Sequence, residues 1–257
     1  MTFLFRRTKF LFLLMLGAVC TSVAFADQLR FIGKAYDIDS NELLYVERHY
    51  VELSKQGEYV QSQVIYEGAQ GQRIAEKALS FSGASSLQPY LQFEQFNSDI
   101  RYETTSMRDA LFLDSSGERT RFSLSDSGLP LVVDSGFDRM VIENWDDLVS
   151  GQTIEFEFLA LSRSSTVGFE LSRVSLSGDS VRLQIQPSNW VINLLMDPIV
   201  LDYSLDTQRL LRYEGLTNIY APEVDANYSA IILYEYEEPH HIADREALGS
   251  APTSVVN

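Results

Sequence analysis

Hydrophobic and polar residues alternate with a period of two along most of the chain. In residues 29–36, Leu29, Phe31, Gly33 and Ala35 fall on one face and the intervening residues on the other. The same alternation recurs in residues 60–66, 154–158 and 181–185, and a last strand is predicted at 229–236. Alternation of this kind is typical of strands with one buried and one solvated face, as in antiparallel sheets. The pattern predicts about a dozen antiparallel strands joined mostly by short turns.

Two segments depart from this alternation and predict helices. Residues 137–149 carry apolar side chains at helical spacing and are followed by Gly151. Residues 188–196 form a shorter apolar segment, which the Asp197-Pro198 pair ends. Both tryptophans of the protein lie on these two segments. We expect them to cover one end of a curved sheet as a lid over an apolar ligand, through Phe137, Met140, Val141, Trp145, Trp190, Leu194 and Leu195.

The predicted fold class is therefore mainly β. We expect an antiparallel curved sheet or an open half-barrel, with one main helix and one short helical segment as its lid. Residues 27–236 form a single domain in this prediction, because no linker rich in glycine or proline divides them. Residues 237–257 are predicted to be a flexible tail.

The first 26 residues have the three zones of a secretory signal peptide. Basic residues at 6, 7 and 9 precede an apolar core at 10–19, and Ala24-Phe25-Ala26 gives a small-x-small cleavage site. The apolar core is about half as long as the roughly 20 residues that span a bilayer. Acylation of Cys20 is an alternative, although Val19 and Gly17 stand where a lipoprotein signal has a small residue and a leucine. We predict a periplasmic protein, with secretion as the alternative, and no membrane span after cleavage.

Charge and cysteine content exclude several classes of function. Removal of the leader leaves 17 basic and 36 acidic residues, so the net charge changes from −16 to −19, and the lone cysteine is lost. A cysteine-free chain has no thiol nucleophile and no thiolate metal site. Strong negative charge without a basic cluster argues against nucleic acid as a partner. No phosphate-binding or dinucleotide-binding glycine loop is present, so no cofactor is predicted.

Few residues suggest catalysis or metal binding. Asp134 and Asp138 near the start of the main helix form a carboxylate pair of the kind that glycoside hydrolases use, although acids there more often cap and stabilise the helix. His240 and His241 lie in the predicted tail, where adjacent histidines chelate metals only weakly. His49 stands alone in a strand-like run and is expected to be a hydrogen-bonded imidazole. No G-x-S-x-G motif occurs. We predict no catalytic residue and no metal site.

The order of these elements resembles that of a known family. A signal peptide, antiparallel strands and apolar helical segments near a late strand pair resemble periplasmic half-barrels of the lipoprotein-localisation-factor type. The stretches 197–203 (DPIVLDY) and 210–219 (LLRYEGLTNI) also resemble uncharacterised periplasmic proteins of Gram-negative bacteria. The resemblance implies a sheet wrapped around an apolar cavity and a lipid-like ligand.

Three hypotheses about function follow from the sequence. The first is a non-enzymatic envelope protein that binds an apolar or lipid-like small molecule in the concavity of its sheet. The second is an envelope module that docks a protein partner. The third is a carbohydrate-active hydrolase that uses two buried acids, for which the sequence offers only Asp134 and Asp138.

Overall fold

A computed structural model describes residues 28–81, 86–124, 128–189 and 197–237. The predicted leader therefore lies outside the described residues, as do Trp190, Leu194 and Leu195 of the second predicted helix. Nearly all of the predicted tail, including His240 and His241, also lies outside them. Among the described residues, no helix is both long enough and apolar enough to cross a membrane.

The described residues form fifteen strands, two α-helices and a single turn of 3-10 helix at Leu161–Arg163. The helices are α1 (Gly136–Glu143) and α2 (Trp145–Ser150). The strands are β1 (Gln28–Asp37), β2 (Leu43–Leu53), β3 (Tyr59–Gly68), β4 (Arg73–Ser80), β5 (Tyr90–Gln95), β6 (Ile100–Met107), β7 (Ala110–Ser115), β8 (Glu118–Ser123), β9 (Leu131–Val132), β10 (Ile154–Ala160), β11 (Ser165–Ser177), β12 (Ser180–Pro187), β13 (Ile199–Ser204), β14 (Leu210–Ala221) and β15 (Ala226–Tyr236).

All fifteen strands belong to one sheet, in the order β8-β7-β6-β5-β4-β3-β2-β1-β15-β14-β13-β12-β11-β10-β9. The chain starts in the middle of the sheet at β1 and runs outward through successive neighbours to β8. It then crosses to the opposite edge at β9 and returns strand by strand until β15 pairs with β1. Every pair is antiparallel except β9–β10. The predicted mainly antiparallel open sheet is confirmed, with more strands than expected because strands such as β8 (ERTRFS) have no clear apolar face.

The sheet curls strongly, so strands that are far apart in its order come into contact. Gln95 of β5 is almost fully buried, and its side-chain amide donates a hydrogen bond to the carbonyl oxygen of Tyr220 on β14 (2.7 Å). The Tyr220 N–H donates back to the Gln95 side-chain oxygen (3.0 Å). Near the two sheet edges, Leu111 of β7 belongs to the same apolar cluster as Leu161 after β10. The inner face of the sheet is therefore concave and largely enclosed.

The main predicted helix at 137–149 is two helices in the structure. Asn144 interrupts it with a non-helical backbone (φ −111°, ψ 21°). Its backbone N–H (3.1 Å) and its side-chain amide (2.8 Å) both donate to the carbonyl oxygen of Met140. Short polar side chains that bond the local backbone compete with continued helix in this way. The second helix then ends at Gly151, which has the left-handed conformation (φ 100°) common after helices.

Candidate functional site

The concave face of the sheet and helix α1 line a cavity of about 530 Å³. Its walls are mainly apolar and aromatic, with side chains from both halves of the sheet, such as Leu29, Phe31, Val51, Phe156 and Leu201. This size falls within the range of small-molecule sites, which are lined mostly by apolar groups with a few placed polar ones. The cavity is therefore the candidate functional site.

Helix α1 has one face on the cavity and another in the protein core. Phe137, Asp138 and Ile142 line the cavity. Met140 and Val141 are fully buried in the apolar cluster that joins both helices to β10–β13. Phe137 is three and four residues before Met140 and Val141, so it lies on their side of the helix and also packs against the core cluster, while Asp138 and Ile142, four residues apart, share the cavity side.

The residues predicted to form a lid are thus only partly brought together. Phe137 lines the cavity, so its contact with a ligand stays a prediction. Met140, Val141 and Trp145 belong to the core cluster and are not part of the cavity wall. Trp145 packs edge to face on Tyr203, with ring centroids 6.2 Å apart. Trp190, Leu194 and Leu195 lie outside the described residues.

Contacts on several sides fix the position of α1. A Cβ atom on Gly136 would lie only 2.2 Å from the carbonyl oxygen of Leu87, so the helix start packs directly on that backbone. Arg139 pairs with Glu58 of the β2–β3 turn (2.7 Å) and with Glu143 one helical turn later (2.8 Å). These contacts hold the face that carries Phe137 and Asp138 against the cavity.

A carboxylate and an imidazole lie side by side in the wall formed by β1, β2 and β15. Glu47 Oε2 is 2.8 Å from His49 Nε2 and accepts a hydrogen bond from the Tyr234 hydroxyl (3.3 Å). Gly33 stands opposite Glu47 and Tyr234 in the two ladders, and a Cβ there would lie 2.8 Å from the Tyr234 ring and 3.0 Å from Glu47 Oε2. The missing side chain at Gly33 makes room for this polar group. His49 also stacks on Phe31, with ring centroids 4.1 Å apart. Its contact with Glu47 makes it a hydrogen-bonded imidazole, as the sequence predicted.

A buried ion pair links β4 to the segment before α1. Lys77 Nζ lies 2.7 Å from Asp134 Oδ1, and the two side chains are only 11% and 5% exposed. Burial opposes the charge on both groups, but their mutual attraction outweighs it. The pKa of Lys77 is therefore raised and the pKa of Asp134 lowered, so both groups stay ionised.

Asp134 does not cap the helix in the way that its position suggested. Its Oδ1 atom accepts hydrogen bonds from the backbone N–H (2.7 Å) and the hydroxyl (2.8 Å) of Ser135, the residue that precedes α1. The side chain of Ser135, at the N-cap position of α1, makes no capping hydrogen bond. Because Lys77 and Ser135 already occupy this carboxylate, it is poorly suited to act as a general base.

Asp138 is the second acid of the suggested pair, and its environment differs. Its Oδ1 accepts a hydrogen bond from the Tyr203 hydroxyl (2.7 Å). No lysine, arginine or histidine among the described residues forms an ion pair with it. Burial raises the pKa of Asp138, although the Tyr203 hydrogen bond counteracts part of that effect. The two acids thus have opposite pKa shifts and separate hydrogen-bond partners.

Tyrosine hydroxyls supply most of the remaining polarity. Burial raises the pKa values of Tyr45, Tyr66, Tyr203 and Tyr234, so these phenols stay neutral and can donate hydrogen bonds. The Tyr45 hydroxyl is fully buried and makes no hydrogen bond within the part of the chain that the structure describes. A buried unsatisfied hydroxyl is uncommon in folded proteins.

Sequence reasoning missed most of the polar cavity residues. Lys77 and Asp134 are 57 residues apart, and Asp138 and Tyr203 are 65 apart. No local motif connects such partners. Within the described ranges, no group of three or more histidine, cysteine, aspartate or glutamate side chains is arranged to hold a metal ion.

Comparison with known proteins shows a likeness to solved structures. No protein-family model matches the chain, and neither does any curated protein. Among solved structures, the chain is similar to the crystal structure of a beta-barrel-like protein of the domain of unknown function DUF1849 from Brucella abortus. The TM-score is 0.48 at 7% sequence identity, over 83% of this chain and 99% of that one. The strand pairing of this protein itself shows an open, curved, mostly antiparallel β-sheet.

Proposed function

We propose that this protein binds an apolar or lipid-like molecule in the cavity enclosed by its curved sheet and helix α1. The observation that carries the proposal is the cavity itself, about 530 Å³ in volume and walled mainly by aliphatic and aromatic side chains. Removing apolar ligand surface from water favours binding by about 25 cal/mol per Å² before the costs of association. A few hydroxyl and carboxylate groups in the wall provide orientation for a polar end of the ligand.

A neutral fluorescent probe tests the cavity. We expect N-phenyl-1-naphthylamine to bind wild-type protein saturably at one site. Phe137→Ala removes an aromatic ring from the wall, and it is expected to weaken binding about tenfold, which corresponds to about 1.4 kcal/mol. Fluorescence titration gives both dissociation constants. Native mass spectrometry of gently purified protein, followed by solvent extraction, identifies any molecule retained from cells.

The matched control is Phe96→Ala, because Phe96 is an aromatic residue that is 46% exposed and is not part of the cavity wall. Its substitution should leave probe affinity unchanged. Absence of saturable binding, or equal affinities for the two alanine variants, contradicts the proposal. Stoichiometric crosslinking to one envelope protein in cells, without any bound small molecule, would favour the alternative that the protein docks a partner.

We also propose that the protein is exported to the periplasm. The support is the leader, in which basic residues, an apolar core and the sequence Ala24-Phe25-Ala26 follow one another. Expression in a Gram-negative host, with cell fractionation and N-terminal sequencing, is expected to give periplasmic protein that begins at Asp27. Recovery of cytoplasmic protein that still begins at Met1 would contradict export, and recovery from the medium would indicate secretion.

A further inference from the structure

Three carboxylates face the cavity, and one of them has no basic partner. Glu47 lies 2.8 Å from His49, and Asp134 lies 2.7 Å from Lys77. Among the described residues, Asp138 forms no ion pair, and its one hydrogen-bond partner is the Tyr203 hydroxyl. Asp138 is partly buried, and a carboxylate that faces an apolar cavity without an ion-pair partner favours a proton or a nearby positive charge. Asp138 is therefore the cavity group that most needs a partner.

Tyrosine side chains share the cavity with this carboxylate. Tyr203 donates a hydrogen bond to it, and Tyr59, Tyr234 and Tyr236 line the same cavity. Burial raises the pKa values of these last three phenols, so their hydroxyls stay neutral. Tyrosine faces attract cations through the ring quadrupole. A carboxylate and several tyrosine rings together suit a positively charged group.

Other charges around the cavity leave this end negative. The Lys77 ammonium is neutralised by Asp134 at 2.7 Å. Arg209 also lines the cavity, and its guanidinium carbon lies 5.0 Å from the centroid of the Tyr236 ring. The Tyr236 ring, which lines the same cavity as Asp138, therefore already has a cation on its face. Tyr203 is 1% exposed and packs on Trp145, so it contributes through the hydroxyl that contacts Asp138, and the rings of Tyr59 and Tyr234 are left for a ligand.

We propose that Asp138 and the tyrosines around it form a head-group subsite for an amphiphile with an ammonium group, whose hydrocarbon part occupies the apolar remainder of the cavity. This inference rests on the proposed binding of an apolar ligand and adds the chemistry of its polar end. The ammonium compensates the carboxylate charge, while the neutral phenols replace part of the water that the ammonium loses on entry.

The pH dependence follows from the protonation state of Asp138. Its pKa is raised by burial, and proton binding removes the charge that attracts the ammonium. Affinity should therefore fall as the pH decreases through that pKa. The groups that face Asp138 from the other packed elements are Tyr203, His49, Lys77 and Asp134, followed by Tyr59, Tyr234 and Tyr236.

Amphiphiles that share a twelve-carbon chain but differ in head group test the proposal. Dodecyltrimethylammonium, the uncharged lauryldimethylamine oxide and dodecanoate are titrated calorimetrically below their micellar concentrations at pH 8. The ammonium compound is expected to bind wild-type protein about tenfold more tightly than the amine oxide, and dodecanoate most weakly. Asp138→Asn should weaken binding of the ammonium compound about tenfold and leave the amine oxide unchanged.

The matched control is Asp146→Asn, which makes the same change of charge on an exposed residue of α2. It should not change the preference among head groups. Asparagine at 138 retains an oxygen for the Tyr203 hydroxyl, and thermal unfolding of the variant checks its fold. If that variant does not fold, the wild-type preference for the ammonium compound is measured at low and high salt: a preference that persists at high salt supports the subsite, and one that disappears reflects net charge and overturns it.

Three outcomes overturn the inference, and they are distinguishable. Equal affinity of wild-type protein for the three amphiphiles removes the ammonium subsite but leaves the apolar cavity as a binding site. Absence of binding by all three, together with no binding of the neutral fluorescent probe, removes the proposed function as well. An ammonium preference that Asp138→Asn and Asp146→Asn reduce equally would reflect net charge, and it also overturns the subsite.

Discussion

Replacement of Lys77 by methionine is expected to lower the free energy of unfolding by about 3–5 kcal/mol. The substitution leaves the Asp134 carboxylate, which is 5% exposed, without the ammonium that lies 2.7 Å away in the wild type. An unpaired charge in a buried site costs several kcal/mol, because neither water nor a counter-charge compensates it. Urea denaturation followed by tryptophan fluorescence and circular dichroism measures the change.

Two further variants show whether burial is the cause. Lys34→Met removes an ammonium whose pair with Glu235 is also short (2.8 Å), but the side chains are 38% and 63% exposed. That exposed pair should contribute less than about 1 kcal/mol. The double variant Lys77→Met/Asp134→Asn removes both buried charges, keeps a residue that tolerates the left-handed backbone of position 134 (φ 44°), and should recover much of the lost stability. Equal effects of Lys77→Met and Lys34→Met would show that the buried pair has no special role.

The difference in stability between wild type and Lys77→Met should depend on pH. In the wild type the pKa of Asp134 is lowered, so its ionised form stabilises the folded protein. This contribution to the free energy of unfolding is fully present above the ordinary aspartate pKa and is lost as the pH falls through the pKa of the folded state. The raised pKa of Lys77 makes its contribution complete below the ordinary lysine pKa and lost only at alkaline pH. In the variant, burial without Lys77 favours protonated Asp134. The difference should therefore be largest near neutral pH and shrink towards acid pH.

Trp145→Ala is expected to destabilise the protein by about 3–5 kcal/mol, the usual range for loss of a buried tryptophan or phenylalanine ring. Trp145 is 9% exposed and lies in the core cluster that connects both helices to β10–β13. Its ring packs on Tyr203, so its removal opens a cavity behind the residue that holds Asp138. The midpoint of urea unfolding measures the loss.

Measuring both the stability and the probe affinity of Trp145→Ala shows whether Trp145 supports the core or contacts the ligand. Phe96→Ala, at an exposed position, should change stability by less than about 0.5 kcal/mol. If Trp145 contacts the ligand instead, Trp145→Ala would weaken probe binding at nearly unchanged stability. The structure predicts the reverse, since the Trp145 side chain is not part of the cavity wall.

The strands and their faces were predictable because side chains in a strand alternate with a fixed period. Val181, Leu183 and Ile185 fall on the predicted apolar face of β12, and all three are buried. The same rule located β1, with Leu29 and Phe31 on its inner face. The helical region was also found, but its division at Asn144 was not, because periodicity does not report a side chain that bonds the backbone of the preceding turn.

The polar residues of the cavity could not be predicted in the same way. Glu47 and Lys77 lie on the inner faces of β2 and β4, together with apolar residues such as Tyr45 and Leu79. In sequence, a charged residue in a strand is typical of the solvated face. These two charges are tolerated inside because His49, Tyr234 and Asp134 are placed beside them. Two of these partners come from distant parts of the chain.

The sequence by itself determined that the chain forms an antiparallel sheet with one apolar face, because alternation and turn residues act locally. It also determined the absence of cysteine from residues 27–257 and their excess of acidic groups. Only the tertiary structure decided which residues meet. Curling of the sheet brings β4 to the segment before α1 and β13 to α1, and so pairs Lys77 with Asp134 and Tyr203 with Asp138. Packing of α1 then places some of its side chains in the core and others in the cavity wall. This division depends on contacts with strands far away in sequence.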